Sequence, residues 1–149
     1  MEYTIISKEA FNVAGIREIT EYDGGVWNII KQDGRLDKMK AIAGNQKVSL
    51  GVCFGFDTEG YNDNMVAFYT DQEYIDGYDV YRFPATNWLQ VIAEGKISDN
   101  TLWAAWRYIQ DELLDKKVIT PRNIPNIEDF IEWNTQNDYC KVVIMIATM

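Results

Sequence analysis

Residues Val48-Ser49-Leu50-Gly51-Val52-Cys53-Phe54-Gly55-Phe56 alternate strictly between large apolar and small side chains. Side chains of an extended chain point alternately to opposite faces, so this run predicts a strand with Val48, Leu50, Val52, Phe54 and Phe56 on one face. The small face admits close approach by a packed helix or by a ligand. Beyond the polar turn Asp57 to Asn64, Met65-Val66-Ala67-Phe68-Tyr69-Thr70 predicts a second strand, and the two make a hairpin. Upstream, Tyr3 to Thr20 is β-branched with partial alternation and reads as one long or interrupted strand ending before Asp23-Gly24-Gly25. Val26, Trp27, Ile29 and Ile30 then recur at helical spacing behind an Asp23 N-cap. Met39, Ile42 and Ala43 prolong the stripe past Gly34, where the helix is weakest.

The same order recurs in the second half. Tyr78 to Gly95 is again extended and ends in glycine, and Phe83-Pro84-Ala85 echoes Phe11-Asn12-Val13-Ala14. Leu102, Trp103, Trp106, Ile109 and Leu113 predict an amphipathic helix entered through Ser98 or Asp99, with Trp103 placed early in it as Trp27 is in the first helix. Ile127 to Trp133 and Tyr139 to Thr148 predict strands around the turn Thr135-Gln136-Asn137-Asp138. Strand, helix, strand, strand, stated twice, implies an α+β fold of duplicated halves with pseudo-twofold symmetry. An antiparallel sheet and two main helices would surround a central cleft, in a single domain spanning residues 1–149.

The run entered through Pro125-Asn126 carries the most pointed chemistry. In an extended Ile127-to-Trp133 segment, Glu128, Phe130 and Glu132 share one face, and Ile127, Asp129, Ile131 and Trp133 the other. A carboxylate beside an aromatic ring suits an apolar cation, because a desolvated carboxylate needs a compensating charge or hydrogen bonds. A solvated acid on a half-exposed strand is the competing reading.

Composition narrows the functional classes. The 149 residues are 47% hydrophobic and 13% aromatic, with five Trp and nine Tyr, so the chain is built to pack and carries aromatic surface that serves either a core or a ligand. The net charge of −9 disfavours direct nucleic-acid binding. Histidine is absent, which removes the Ser-His and Cys-His nucleophile systems and the commonest zinc ligand. Cys53 and Cys140 sit in apolar runs and read as buried free thiols, so neither a metal nor a cofactor is expected. No signal segment and no membrane-length apolar stretch occurs, which points to a cytoplasmic protein.

Across its length the chain resembles the effector-binding domain of AraC- and MerR-type multidrug regulators, which also occurs alone in GyrI-like proteins. The resemblance is carried by the duplicated plan, by the Trp88-to-Gly95 strand ahead of the helix bearing Trp103 and Trp106, and by Pro125-Asn126-Ile127-Glu128-Asp129-Phe130. The family's Pro-x-Leu-Glu-x-Tyr pattern lines up with that last segment. It implies that Glu128 is a buried, ligand-contacting glutamate, with Phe130 standing where the family has tyrosine. The resemblance further implies a receptor for lipophilic cations. No helix-turn-helix accompanies it here, so a free-standing module is expected, with a partner protein supplying any regulatory output.

Trp88, Tyr69, Trp106 and Phe130 are the candidate walls of the cleft beside Glu128, with core packing the alternative role for each. Tyr139 and Tyr108 are weaker candidates. The expected function is binding of amphipathic, cationic aromatic compounds rather than catalysis. Two alternatives remain: a hydrolase of the GyrI-like type, disfavoured by the missing phenol at Phe130, and a protein-interaction module resembling gyrase inhibitors.

Overall fold

A computed structural model describes residues 1–149. The chain divides into two compact units: unit 1 comprises Met1–Lys8 with Thr86–Met149, and unit 2 comprises Glu9–Ala85. The first expected strand is in fact two, β1 (Thr4–Lys8) and β2 (Phe11–Thr20), and the chain passes from unit 1 to unit 2 between them. The extended stretch after residue 78 likewise divides into β5 (Asp79–Phe83) and β6 (Thr86–Gly95).

Unit 2 holds β2, the helices α1 (Gly25–Gln32) and α2 (Arg35–Ala43), β3 (Leu50–Phe56), β4 (Asn62–Thr70) and β5. Gly34 breaks the expected single helix in two, adopting a left-handed φ of 85° that side-chain-bearing residues avoid. Its antiparallel strands lie in the order β5-β2-β4-β3. Ala14, Val66 and Phe68 on one sheet face pack against Val26, Ile30, Leu36 and Met39 of the helices.

Unit 1 repeats the design with β1, β6, α3 (Thr101–Tyr108), β7 (Asn126–Asn134) and β8 (Tyr139–Thr148), its strands ordered β1-β6-β8-β7 and all antiparallel. Helix α3 continues into a π-helical turn over Ile109–Leu114, which nothing in the periodicity announced. Ala105, Ile109 and Leu113 pack on Val91, Val142, Ile144 and Ile146, each large side chain enclosed here contributing about 1.5–3 kcal/mol.

The repeats match residue for residue. Asn12 pairs with Thr70 and Thr20 with Asn62 in unit 2, while Asn87 pairs with Thr148 and Gly95 with Cys140 in unit 1. The third strands match too, Leu50 opposite Ala67 and Ile127 opposite Met145. Both carry a one-residue register shift at the equivalent place, bypassing Phe54 in β3 and Ile131 in β7. In this alignment Phe83 corresponds to Lys8, not to Phe11 as the sequence echo suggested; Phe83 instead pairs with Phe11 across the β2–β5 ladder.

Each bulge reverses the alternation beyond it, which corrects two sequence expectations. Leu50 and Val52 are buried as expected, but Phe56 is 73% exposed. Other departures are local. Asp23 does not cap α1; Gly24 occupies that position, and the Asp23 carboxylate accepts a hydrogen bond from Asn64. Asn100 occupies the N-cap position of α3 without a side-chain capping bond, while Ser98 donates through both its backbone N–H and its hydroxyl to Asp138. Trp103 is 60% exposed, with the Arg107 guanidinium 4.9 Å from its ring centroid. Cys53 is exposed, whereas Cys140 is buried, and burial raises the Cys140 thiol pKa.

Candidate functional site

Glu128 lies on β7 opposite Ile144, one of the β8 residues that face α3. Directly paired residues in a ladder project to the same side, so the Glu128 carboxylate is held on the helix-facing side of the unit 1 sheet. Helix α3 presents Trp106 to it, and the indole N–H donates to Glu128 Oε2 at 2.8 Å. Both residues are half-buried, so the glutamate is not enclosed as the family pattern implied. An indole can only donate, so the carboxylate oxygen is the acceptor in this pair.

Phe130 follows on the same face, opposite Val142, and packs against the core cluster that includes Val142 and Ala105. The bulge at Ile131 adds a residue that strict alternation excluded. Beyond it Glu132 pairs with Lys141 and Trp133 with Cys140, which moves Glu132 off this face and Trp133 onto it. Trp133 accordingly meets Phe130 edge-on, with ring centroids 5.8 Å apart. Glu128, Trp106, Phe130 and Trp133 thus form a half-open group of one carboxylate and three aromatic rings. No signal in Ile131-Glu132 betrays the bulge, since neither residue is glycine or proline.

The other expected wall residues stand elsewhere. Trp88 pairs with Ala147 and Ile6, on the sheet face opposite to Glu128, and is fully buried. On that face Lys8 lies near Asp129; burial lowers the lysine pKa and the aspartate partly offsets this. Tyr69 belongs to unit 2, where its ring meets Phe11 edge-on at 5.5 Å. Tyr139 is hydrogen-bonded through its hydroxyl to Glu94, which pushes its pKa up to about 12. Tyr108 packs against the unit 1 core.

The repeat alignment shows how unusual Glu128 is. Its counterpart in unit 2 is Gly51, opposite Val66. The unit 2 sheet has no side chain at this point, so the shared fold does not itself require a carboxylate there. No group of three or more Cys, Asp or Glu side chains is placed to hold a metal ion. No helix is long and apolar enough to cross a membrane.

Known proteins share this fold. The structure resembles SAV2435 bound to tetraphenylphosphonium, with a TM-score of 0.79 and 19% identity over 100% of this chain and 94% of that one. It resembles the EcmrR C-terminal domain with a TM-score of 0.70 and 12% identity, covering 99% of this chain and 97% of the other. A hydrolase from Listeria innocua shares the fold with a TM-score of 0.57 and 7% identity, over 99% of this chain and 92% of that one. No curated protein sequence matches significantly. The sequence profile of the GyrI-like small molecule binding domain matches residues 1–147, and the chain belongs to that family.

Proposed function

We propose that this small-molecule-binding domain takes lipophilic aromatic cations at the group formed by Glu128, Trp106, Phe130 and Trp133. The observation that carries this reading is the hydrogen bond from Trp106 to Glu128, which holds a carboxylate beside aromatic rings in one repeat where the other has Gly51. A cation's charge would be met by Glu128 and its rings by Phe130 and Trp133, with the net charge of −9 adding long-range attraction. The tetraphenylphosphonium held by SAV2435, a protein of similar fold, is a ligand of this class. Trp88 and Tyr69 remain packing residues in this reading, the first because it is enclosed on the other sheet face, the second because its ring is engaged by Phe11.

The test compares tetraphenylphosphonium with neutral triphenylphosphine oxide by titration calorimetry on the wild-type protein and on Glu128→Gln. The variant should bind the cation on the order of tenfold more weakly, which is ~1.4 kcal/mol, and leave the neutral compound within about twofold. Equal losses for both compounds would remove the charge pairing from the mechanism. Catalytic turnover of an electrophilic ester that collapses in the same variant would favour the hydrolase instead.

A further inference from the structure

Unit 2 contains a cavity of about 390 Å³ beside α2, where β2 runs on past the start of β5. Its lining is dominated by charge: Arg17 and Glu18 come from β2, Arg35 and Lys38 from α2, and Asp79 from β5. The half-buried Tyr78 adds a ring. A volume of this size lies within the range of small-ligand sites.

Most of these charges are already committed to partners. Arg17 donates through Nε and Nη2 to the Asp63 carboxylate, both at 2.7 Å. Arg35 donates through Nε to Asp33 at 2.9 Å and through Nη1 to Glu18 at 3.0 Å. Those bonds fix the Arg35 side chain and leave its Nη2 donors unused. Lys38 and Asp79 differ, because neither side chain takes part in a salt bridge or a hydrogen bond with the surrounding pairs. Asp79 acts on Arg17 only through space, a lesser addition to the rise in pKa that the Asp63 hydrogen bond chiefly causes. The cavity therefore holds one uncommitted cation, on its helix wall, and one uncommitted anion, on its strand wall.

Neither the fold nor the helix accounts for this arrangement. In the repeat alignment the counterparts of Arg17, Glu18 and Asp79 are Ile92, Ala93 and Thr4, so unit 1 builds the same ladders without charge at these places. Arg35 and Lys38 occupy the first turn of α2, the positive end of the helix, where cations are disfavoured.

We propose that the unit 2 cavity binds a small zwitterion of the amino-acid class, its carboxylate meeting Lys38 and the unused Arg35 donors and its ammonium meeting Asp79. A zwitterion pairs both uncommitted charges at once. A simple anion would be repelled by the net charge of −9, and a simple cation would leave Lys38 without a partner. Since Lys38 and Asp79 come from separate elements, the cavity favours a ligand whose two charges are several bonds apart over a plain α-amino acid.

The probe is 6-aminohexanoate, titrated into the full-length protein and followed by backbone amide NMR shifts. Saturable shifts are expected at residues 15–18, 35–38 and 77–79, the cavity lining. Hexanoate and hexylamine, each carrying one of the two charges, should bind about fivefold more weakly, the upper range for one ion pair at an open site. Lys38→Met should lower the affinity for 6-aminohexanoate to that for hexylamine, and Asp79→Asn should lower it to that for hexanoate. Probe-free spectra of both variants should retain the wild-type dispersion. Glu128→Gln should leave the titration unchanged, so loss of the cation site and loss of this site are separable. No saturable shift at millimolar probe, equal affinities for the three compounds, or titrations unaltered in Lys38→Met and Asp79→Asn would overturn the proposal.

Discussion

At the scale of single residues, the molecule spends its acids in contrasting ways. Glu128 accepts from an indole inside a half-buried aromatic group, whereas Glu94 accepts from the Tyr139 hydroxyl at an exposed strand end. The second contact has a direct titration signature. Ionising the phenol would remove the donated hydrogen bond and set two negative charges together, so the folded-state pKa is raised to about 12. A group whose pKa rises on folding stabilises the fold fully below its unfolded pKa, near 10, and loses that contribution as pH climbs through the folded value. Ultraviolet titration of phenolate absorbance in Glu94→Gln should show one tyrosine ionising at lower pH than in the wild type. An unchanged titration curve would mean that the Glu94 contact does not persist in solution. Asp138 shows the opposite sign: hydrogen bonds from Ser98 hold its carboxyl below the usual range, so this contact is lost as pH falls through that lowered value.

At the scale of elements, the paired bulges matter more than the strands' composition. Phe54 and Ile131 take equivalent bulge positions in β3 and β7, and each exchanges the faces of all that follows. In β7 the exchange brings Trp133 to Phe130. Deleting Ile131, the unpaired residue, should turn the ladder into an uninterrupted one in which Trp133, now two residues from Phe130, keeps its pairing with Cys140 and its face; tryptophan emission and near-ultraviolet dichroism close to wild type are expected, and loss of the Phe130–Trp133 signal would contradict that assignment. The β2–β4 ladder is constrained differently. A Cβ on Gly15 would stand 1.9 Å from the Val66 carbonyl oxygen, so Gly15→Ala must push the strands apart. Overpacking of this kind costs about 1–3 kcal/mol and sometimes more, and urea unfolding of the variant should show a loss at or above that range.

At the scale of the whole molecule, the unit 1 sheet contains a strand, β1, that the chain supplies outside the unit's main run, whereas β5 ends the contiguous run of unit 2. β1 precedes β2 in sequence yet pairs with β6, while β5 precedes β6 and pairs with β2. Removing Met1–Lys8 should therefore expose the β6 edge of unit 1. Hydrogen exchange is expected to lose protection at Thr86–Gln90 more than at Asn12–Thr20, and a reversed order would contradict the pairing. The duplication also leaves each repeat as an internal control for the other. Where unit 1 has Glu128, unit 2 has Gly51. This difference lies where the shared fold makes no demand, which is why the proposed cation site is placed there.

The duplicated α+β order, the last strand Tyr139–Thr148 to the residue, and the matching early-helix positions of Trp27 and Trp103 were legible in the sequence. Period-2 and period-3.6 patterns record which face each residue buries, and local patterns of that kind survive without knowledge of partners. Glu128 was singled out through its segment's likeness to a known family, and its role is the proposal that the calorimetry tests. Tertiary structure alone decided the bulges, the exchange of β1 and β5, and the partner of Glu128. A bulge depends on how a strand meets its neighbour, and Trp106 reaches Glu128 from a helix 22 residues away. Contacts across such separations are set by packing, on which the alternation of a single strand is silent.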